Sequence, residues 1–238
     1  MFSRKRTRAI AVGVIAIAVG GAAYGIVSAT SSSSSAAPGT ANTTTVGSNP
    51  RSGSGAGGAS NARSGPASGG TVGTVGSVSK SSFTVSTSAG QKVTVDEASS
   101  TKYQKGTSST AASAIRTGEP VLVLGTTSGT TITATQVIVQ PTGGGSATSS
   151  AVVPFQRGAP STSKQVGQIP ANYTQGSGTI VSGTTANKAT EAALAAYPGG
   201  IVDRVVKLSN GEYEVHNIGV NWPHQIFVNQ NFKVVGAN

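Results

Sequence analysis

Two histidines and two glutamates near the C-terminus are the residues of this chain most suited to chemistry. Glu212, Glu214 and His216 alternate along one predicted strand, and His224 follows on the next. Imidazole and carboxylate groups are ligands that Zn²⁺ accepts, so a His/His/Glu site is one interpretation. It requires both imidazoles on one face of the sheet, and residues 217–220 break the alternation between them. We therefore favour a solvated strand face, and we expect no metal and no other cofactor.

The same region contains the residues best suited to contact a partner protein. Trp222, the only tryptophan of the chain, precedes Pro223 in a predicted turn. A lone tryptophan either fills a small core or makes an exposed contact, and we favour the core position. The candidate contact residues are Tyr213, Glu214, His216, Trp222 and His224.

The composition offers little from which to build an active site. The 238 residues include seven acidic residues, two histidines and no cysteine. Asp96 and Glu97 are adjacent, so they point to opposite faces of a strand and are poor partners in acid–base work. The absence of cysteine excludes thiol catalysis and thiolate metal sites, and no serine lies in a G-x-S-x-G elbow. We expect a noncatalytic protein.

The N-terminus carries a topology signal. Its basic residues are Arg4, Lys5, Arg6 and Arg8. They precede 21 residues without a charge, 9–29, which is close to the roughly 20 residues that cross a bilayer as a helix. The basic flank predicts a single-pass membrane anchor over 1–29 with the C-terminus outside the cell membrane. The small residues of Val27-Ser28-Ala29 leave open the alternative of a signal peptide cleaved after Ala29 and a secreted protein.

The net charge of +10 is spread over the tails of the chain and not over one folded segment. A nucleic-acid-binding domain concentrates basic residues on a folded face, often between aromatic residues. We therefore expect no nucleic-acid partner. The positive charge instead favours anionic surfaces of the cell envelope, including an anionic cell-wall polymer.

The rest of the chain divides into two linkers and two small modules. Segments 30–70 and 142–177 are rich in Ser, Thr, Gly and Pro. The first cannot bury enough apolar surface to offset its ordering entropy, which predicts a disordered linker. The second is also predicted as a linker, with apolar residues that would suit contact with a neighbouring module. Modules at 71–141 and 178–238 make the expected fold mainly β with a small α+β domain.

The middle module, 71–141, is predicted to be a five-stranded barrel. Apolar and polar residues alternate at 72–78, around Phe83 and Val85, around Val93 and Val95, at 121–124 and at 132–139, with a short helix at 110–115. A helix between the third and fourth strands is the order of an OB-like barrel.

Its sequence G-E-P-V-L-V-L-G at 118–125, followed by I-T-A-T-Q-V at 132–137, resembles a bacterial extracytoplasmic family of unknown function. The resemblance implies a fold and an envelope location. The lysines Lys92, Lys102 and Lys105 would suit an anionic ligand, although we favour a solvated lysine face.

The C-terminal module, 178–238, is predicted to contain one helix and an antiparallel meander. A helix at 186–197, capped by Thr184 or Thr185, is ended by Pro198-Gly199-Gly200. Strands follow at 201–208 and 212–220, joined by the hairpin signal Asn210-Gly211, and at 226–228 and 232–235.

This region resembles the PepSY domain. The segments that carry the resemblance are A-A-L-A-A-Y-P-G-G at 192–200 and G-E-Y-E-V-H at 211–216, while Asn229 stands where members often have Asp. The family occurs in the propeptides of thermolysin-type proteases and in exported or anchored bacterial proteins. The resemblance implies a noncatalytic module that binds or restrains a peptidase, or otherwise works in the envelope.

Overall fold

The computed structural model describes residues 65–141, 151–159 and 163–238. The predicted anchor and nearly all of the first linker lie outside these residues. Within the described ranges, no helix is both long and apolar enough to span a bilayer.

The middle of the chain forms a closed five-stranded barrel, as predicted. Its strands are β1 (Ala67–Val78), β2 (Ser82–Ser86), β3 (Lys92–Lys105), β4 (Ser108–Thr110), β5 (Pro120–Ser128) and β6 (Thr131–Val139), of which the short β4 only extends β3 as a hairpin. The pairing order is β1-β2-β3-β6-β5 and back to β1, with β3 and β6 parallel and the other pairs antiparallel. This closure is consistent with the predicted OB-like barrel.

The barrel is filled by the side chains that the alternation places inside. Phe83, Val85, Val93 and Val95 are buried, whereas Lys92, Thr94 and Asp96 on the same strands are exposed. The predicted short helix before β5 is a single 3₁₀ turn at Ala112–Ala114.

The C-terminal region contains one α-helix and an antiparallel meander. Its elements are β7 (Val153–Pro154), β8 (Val166–Gly167), β9 (Thr179–Ile180), α1 (Gly183–Ala196), β10 (Ile201–Lys207), β11 (Tyr213–Ile218), β12 (Val220–Trp222), β13 (Gln225–Val228) and β14 (Val234–Ala237). The meander is β10-β11-β13-β14, and β12 pairs separately with β7.

Two local details differ from the sequence prediction. The helix starts at Gly183, so Ser182 and not Thr184 or Thr185 is the N-cap residue. The last strand starts at Val234 because the side chain of Asn229 accepts hydrogen bonds from the backbone N–H groups of Asn231 and Lys233, which lengthens the preceding turn.

Strand β1 joins the barrel to the meander. It begins at Ala67, inside the predicted linker, and pairs with β5 along most of its length and with β10 at Gly70↔Val202 and Thr71↔Ile201. Gly69 and Gly70 permit this, because a Cβ on either would collide with a backbone carbonyl of a neighbouring strand. Strands from both sides of residue 178 therefore belong to one sheet. The domain boundary at this residue stays a prediction.

The helix packs on one face of this sheet. Ala186, Ala189, Ala193 and Leu194 share an apolar cluster with Leu122 and Leu124 of the barrel and with Val205, Val215 and Ile226 of the meander. The helix therefore covers residues from both regions.

The opposite face of the meander is crossed by residues 163–180, which we call the strap. Its first strand, β8, pairs with β14 at one edge of the meander. Its last strand, β9, pairs with β10 at the other edge. Between them, Ile169, Tyr173 and Ile180 pack against Val206, Leu208 and Phe227. The meander is therefore covered on both faces.

Candidate functional site

A cluster of ionisable side chains lies between the strap and the meander. The register pairs Arg204 with His216 and Val206 with Glu214, so these four residues face the strap. Asp203 precedes Arg204 at a β-bulge, where the register shifts between Val202 and Arg204. The bulge moves Arg204 away from the helix-facing side on which Val202 packs. Strict alternation would place Val202 and Arg204 on one face, and the bulge separates them.

Asp203 connects the side chains of Arg204 and His216. His216 Nδ1 lies 2.6 Å from Asp203 Oδ1, and Arg204 Nη1 donates to Asp203 Oδ2 at 3.2 Å. Arg204 is only 3% exposed, and its Nε is buried with no hydrogen-bond partner. A buried guanidinium loses hydration, so its stability here depends on the carboxylate of Asp203.

Glu214 is the most buried carboxyl group of the cluster, at 1% exposure. The Tyr173 hydroxyl of the strap donates to its Oε1 at 3.0 Å. Burial raises the pKa of Glu214, and the Tyr173 hydrogen bond and the charges of His216 and Arg204 oppose this shift only in part. Burial also raises the pKa of Tyr173, so its hydroxyl stays protonated as a donor.

The ring of Tyr173 provides a second contact between strap and sheet. It meets the ring of Phe227 edge to face, with centroids 4.8 Å apart and planes at 79°. Such aromatic pairs add about 0.5–1.5 kcal/mol beyond the burial of their area. Tyr173 thus joins an apolar contact and a hydrogen bond to a buried carboxyl group in one side chain.

Trp222 contacts the N-terminal end of the strap. Its indole Nε1 donates to the carbonyl of Lys164 at 2.8 Å, and the Lys164 ammonium lies 3.9 Å from the ring centroid. The Tyr197 ring packs edge-on against it at 5.5 Å. Trp222 is 1% exposed, so the core position that we favoured is confirmed.

The other predicted contact residues occupy two different surroundings. Tyr213 faces the helix side and stacks on Phe232, with centroids 5.7 Å apart and planes 9° from parallel. His224 lies elsewhere, its Nδ1 3.2 Å from the Asn217 carbonyl. Whether any of the five candidates contacts a partner stays a prediction.

The prediction of a solvated face for Glu214 and His216 is wrong. Glu214 is buried and His216 half-buried, because the strap covers the strand face that carries them. Among the residues that the structure describes, no three His, Asp or Glu side chains are grouped as a metal site would require.

Sequence reasoning missed the strap residues Lys164 and Tyr173 and the pairing of Asp203 with Arg204. The available signal was weak: Ile169-Pro170, Tyr173 and Ile180 interrupt a polar segment.

Beside Tyr173, the strap and the turn after β10 line an open pocket of about 260 Å³. It is lined by Pro170, Ala171, Asn172, Tyr173, Ser177, Leu208, Ser209 and Asn210.

Comparisons with protein-family models, with curated proteins and with solved structures give no match to this chain.

Proposed function

We propose that this chain is a noncatalytic extracytoplasmic protein, anchored in the cell membrane by residues 1–29, that binds or modulates an envelope protein through its C-terminal region. The sequence supports the location: four basic residues, then 21 uncharged residues, then a long polar linker. The resemblance of 178–238 to PepSY domains supports the role and makes an envelope peptidase the first partner to test.

One observation carries the choice of a binding role for this region. Five of its ionisable side chains are engaged with one another: Asp203 with Arg204 and His216, and Glu214 with Tyr173 of the strap. Groups engaged in this way hold the strands of the meander in place, and a preformed sheet surface is what partner recognition uses.

The first test is site-specific photo-crosslinking in cells that express the full chain. Truncation after residue 178 is unsuitable, because it would expose Leu122 and Leu124, which pack under the helix. We would instead place a photo-reactive residue at Lys188 or Lys233, both exposed in the C-terminal region, and at Lys92 as the matched barrel control. We expect one envelope protein to be captured from Lys188 or Lys233 and not from Lys92.

The opposite result favours a second function, a structural or ligand-binding cell-wall protein that uses its barrel, which we interpret as OB-like. Lys92, Lys102 and Lys105 are all exposed on β3, where they are accessible to an anionic polymer. OB-like barrels often bind polymers on a strand face. Capture from Lys92 alone, weakened by salt, would support this alternative.

A further inference from the structure

The strap lies on the meander as a bound extended peptide would. It forms antiparallel pairs at both edges of the sheet and crosses the face between them, where Tyr173 contacts Phe227 and Glu214. Strand addition at a sheet edge, with side chains placed in pockets on the face, is a recurrent mode of peptide recognition.

The edge of the meander is shaped for close approach of another backbone. Gly236 of β14 faces the strap, and a Cβ at this position would collide with the carbonyl of Gln168. Gly167, the strap residue paired with Gly236, has φ +72°, and a Cβ there would collide with the carbonyl of Val235. Two glycines therefore let the strap lie against β14 where larger residues would hold it away.

The strap is attached less firmly than the helix on the other face. Its two strands contain two residues each, Val166–Gly167 and Thr179–Ile180, and the Gln168 N–H adds a hydrogen bond to the Val235 carbonyl. Its apolar anchors Ile169 and Tyr173 are half-buried, and residues 163–168 are exposed. Segments with few buried apolar contacts open at lower free energy than the core. The strap is thus the element of the described C-terminal region best able to leave its sheet.

We propose that the strap is a displaceable internal ligand, and that the surface beneath it binds an extended peptide segment of a partner protein in the same manner. The surface consists of the β14 edge at Gly236, the apolar residues Val206, Leu208 and Phe227, and the carboxyl group of Glu214. This inference rests on the proposed function, because it names the surface and partner chemistry of the same region.

The strap itself defines the peptide chemistry that the surface accepts. A glycine is required opposite Gly236, an apolar residue two positions later, as at Ile169, and a tyrosine four positions after that, as at Tyr173. Glu214 selects the tyrosine, because a buried carboxyl group favours an aromatic ring that brings a hydroxyl donor. The sequence pattern is G-x-[apolar]-x-x-x-Y.

The test uses a fluorescently labelled peptide with the sequence of residues 163–180, added to the full chain purified in detergent. Tyr173→Ala in the protein weakens its own strap and should tighten peptide binding by about tenfold, because the competent state becomes more populated. The matched control is the same peptide with its own tyrosine changed to alanine, which should bind the Tyr173→Ala protein about tenfold more weakly.

A disulfide supplies the converse variant. Val166 and Ala237 are paired across β8 and β14, and the chain has no cysteine of its own. The V166C/A237C protein should therefore form one defined cross-link that holds the strap in place. We expect the oxidised protein to bind no peptide and the reduced protein to recover binding.

Trp222 gives a second readout. It is the only tryptophan and its indole N–H is bonded to the strap at Lys164, so displacement of the strap should shift its fluorescence. A folded Tyr173→Ala protein that binds no peptide, or an oxidised V166C/A237C protein that binds it as well as the reduced one, would overturn the inference. Neither result affects the crosslinking test, so failure here is distinguishable from failure of the proposed function.

Discussion

The barrel and the meander use the same strand alternation with different results. In barrel strand β3, one face is inside and the other faces solvent, so Val93 and Val95 are buried while Lys92 and Thr94 are exposed. In the meander, consecutive residues Glu214 and Val215 are both buried, because the helix covers one face and the strap the other. Alternation thus identifies a strand, but burial depends on what covers each face.

The largest effect is expected from emptying the barrel core. Phe83→Ala removes a ring that is surrounded by barrel strands on every side, and should lower the free energy of unfolding by about 3–5 kcal/mol. Phe227→Ala should lower the free energy of unfolding by clearly less, because the strap above Phe227 can move into the space that the ring leaves. Urea unfolding of both variants measures the difference. Equal losses would mean that the strap is held as rigidly as a barrel strand.

The second effect concerns the charged cluster, for which the barrel core has no counterpart. Asp203→Ala leaves the buried Arg204 without its carboxylate. It should lower the free energy of unfolding by about 2–3 kcal/mol. This is less than the loss on breaking a fully buried ion pair, because the Asp203 side chain is 23% exposed. The double variant Asp203→Ala/Arg204→Met is the control and should recover part of the loss. Additive losses in a double-mutant cycle would contradict this account.

A smaller effect is the pH dependence that Glu214 gives to the meander. Burial raises its pKa above the ordinary value of 4.5, so this carboxyl group is protonated in both states below pH 4.5 and adds no pH dependence there. As the pH rises past 4.5, the unfolded chain releases this proton first, which lowers the free energy of unfolding until the folded pKa is reached.

Glu214→Gln should therefore reduce the loss of stability that follows as the pH rises above 4.5, as measured by urea unfolding at several pH values. Tyr173→Phe should have the opposite effect. It removes a hydrogen bond that lowers the pKa of Glu214, and so it widens the pH range in which stability is lost. A Glu214→Gln protein with the unchanged pH profile would assign the dependence to other carboxyl groups.

The sequence was informative where local chemistry decides the structure. The valine and phenylalanine alternation predicted the barrel strands, and Asn210-Gly211 predicted the hairpin, which forms between β10 and β11. It was uninformative where a distant segment decides. Nothing near Glu214 indicates that Tyr173, 41 residues earlier, covers it. The bulge at Asp203 turns Arg204 to the face opposite Val202, and no glycine or proline at the bulge marks it in the sequence.

The smallest effect on stability is expected on the outer face of the barrel, where it separates the two proposed functions. Lys92, Lys102 and Lys105 are exposed, so replacing all three with alanine should change the free energy of unfolding by no more than about 0.5 kcal/mol per position. Binding to anionic cell-wall polymer, measured by co-sedimentation at low and high salt, should fall only if the barrel is the binding region.

Lys188 and Lys233 provide the matched control for this last comparison. They are exposed in the C-terminal region, and their double alanine variant removes two positive charges, against three in the barrel variant, from the other side of the β1–β10 junction. If the barrel variant loses polymer binding and the control retains it, the barrel has a binding role of its own. If both variants lose polymer binding equally, the polymer is attracted to the net positive charge of the protein and not to a site on the barrel. Specific recognition is then left to the meander and its strap.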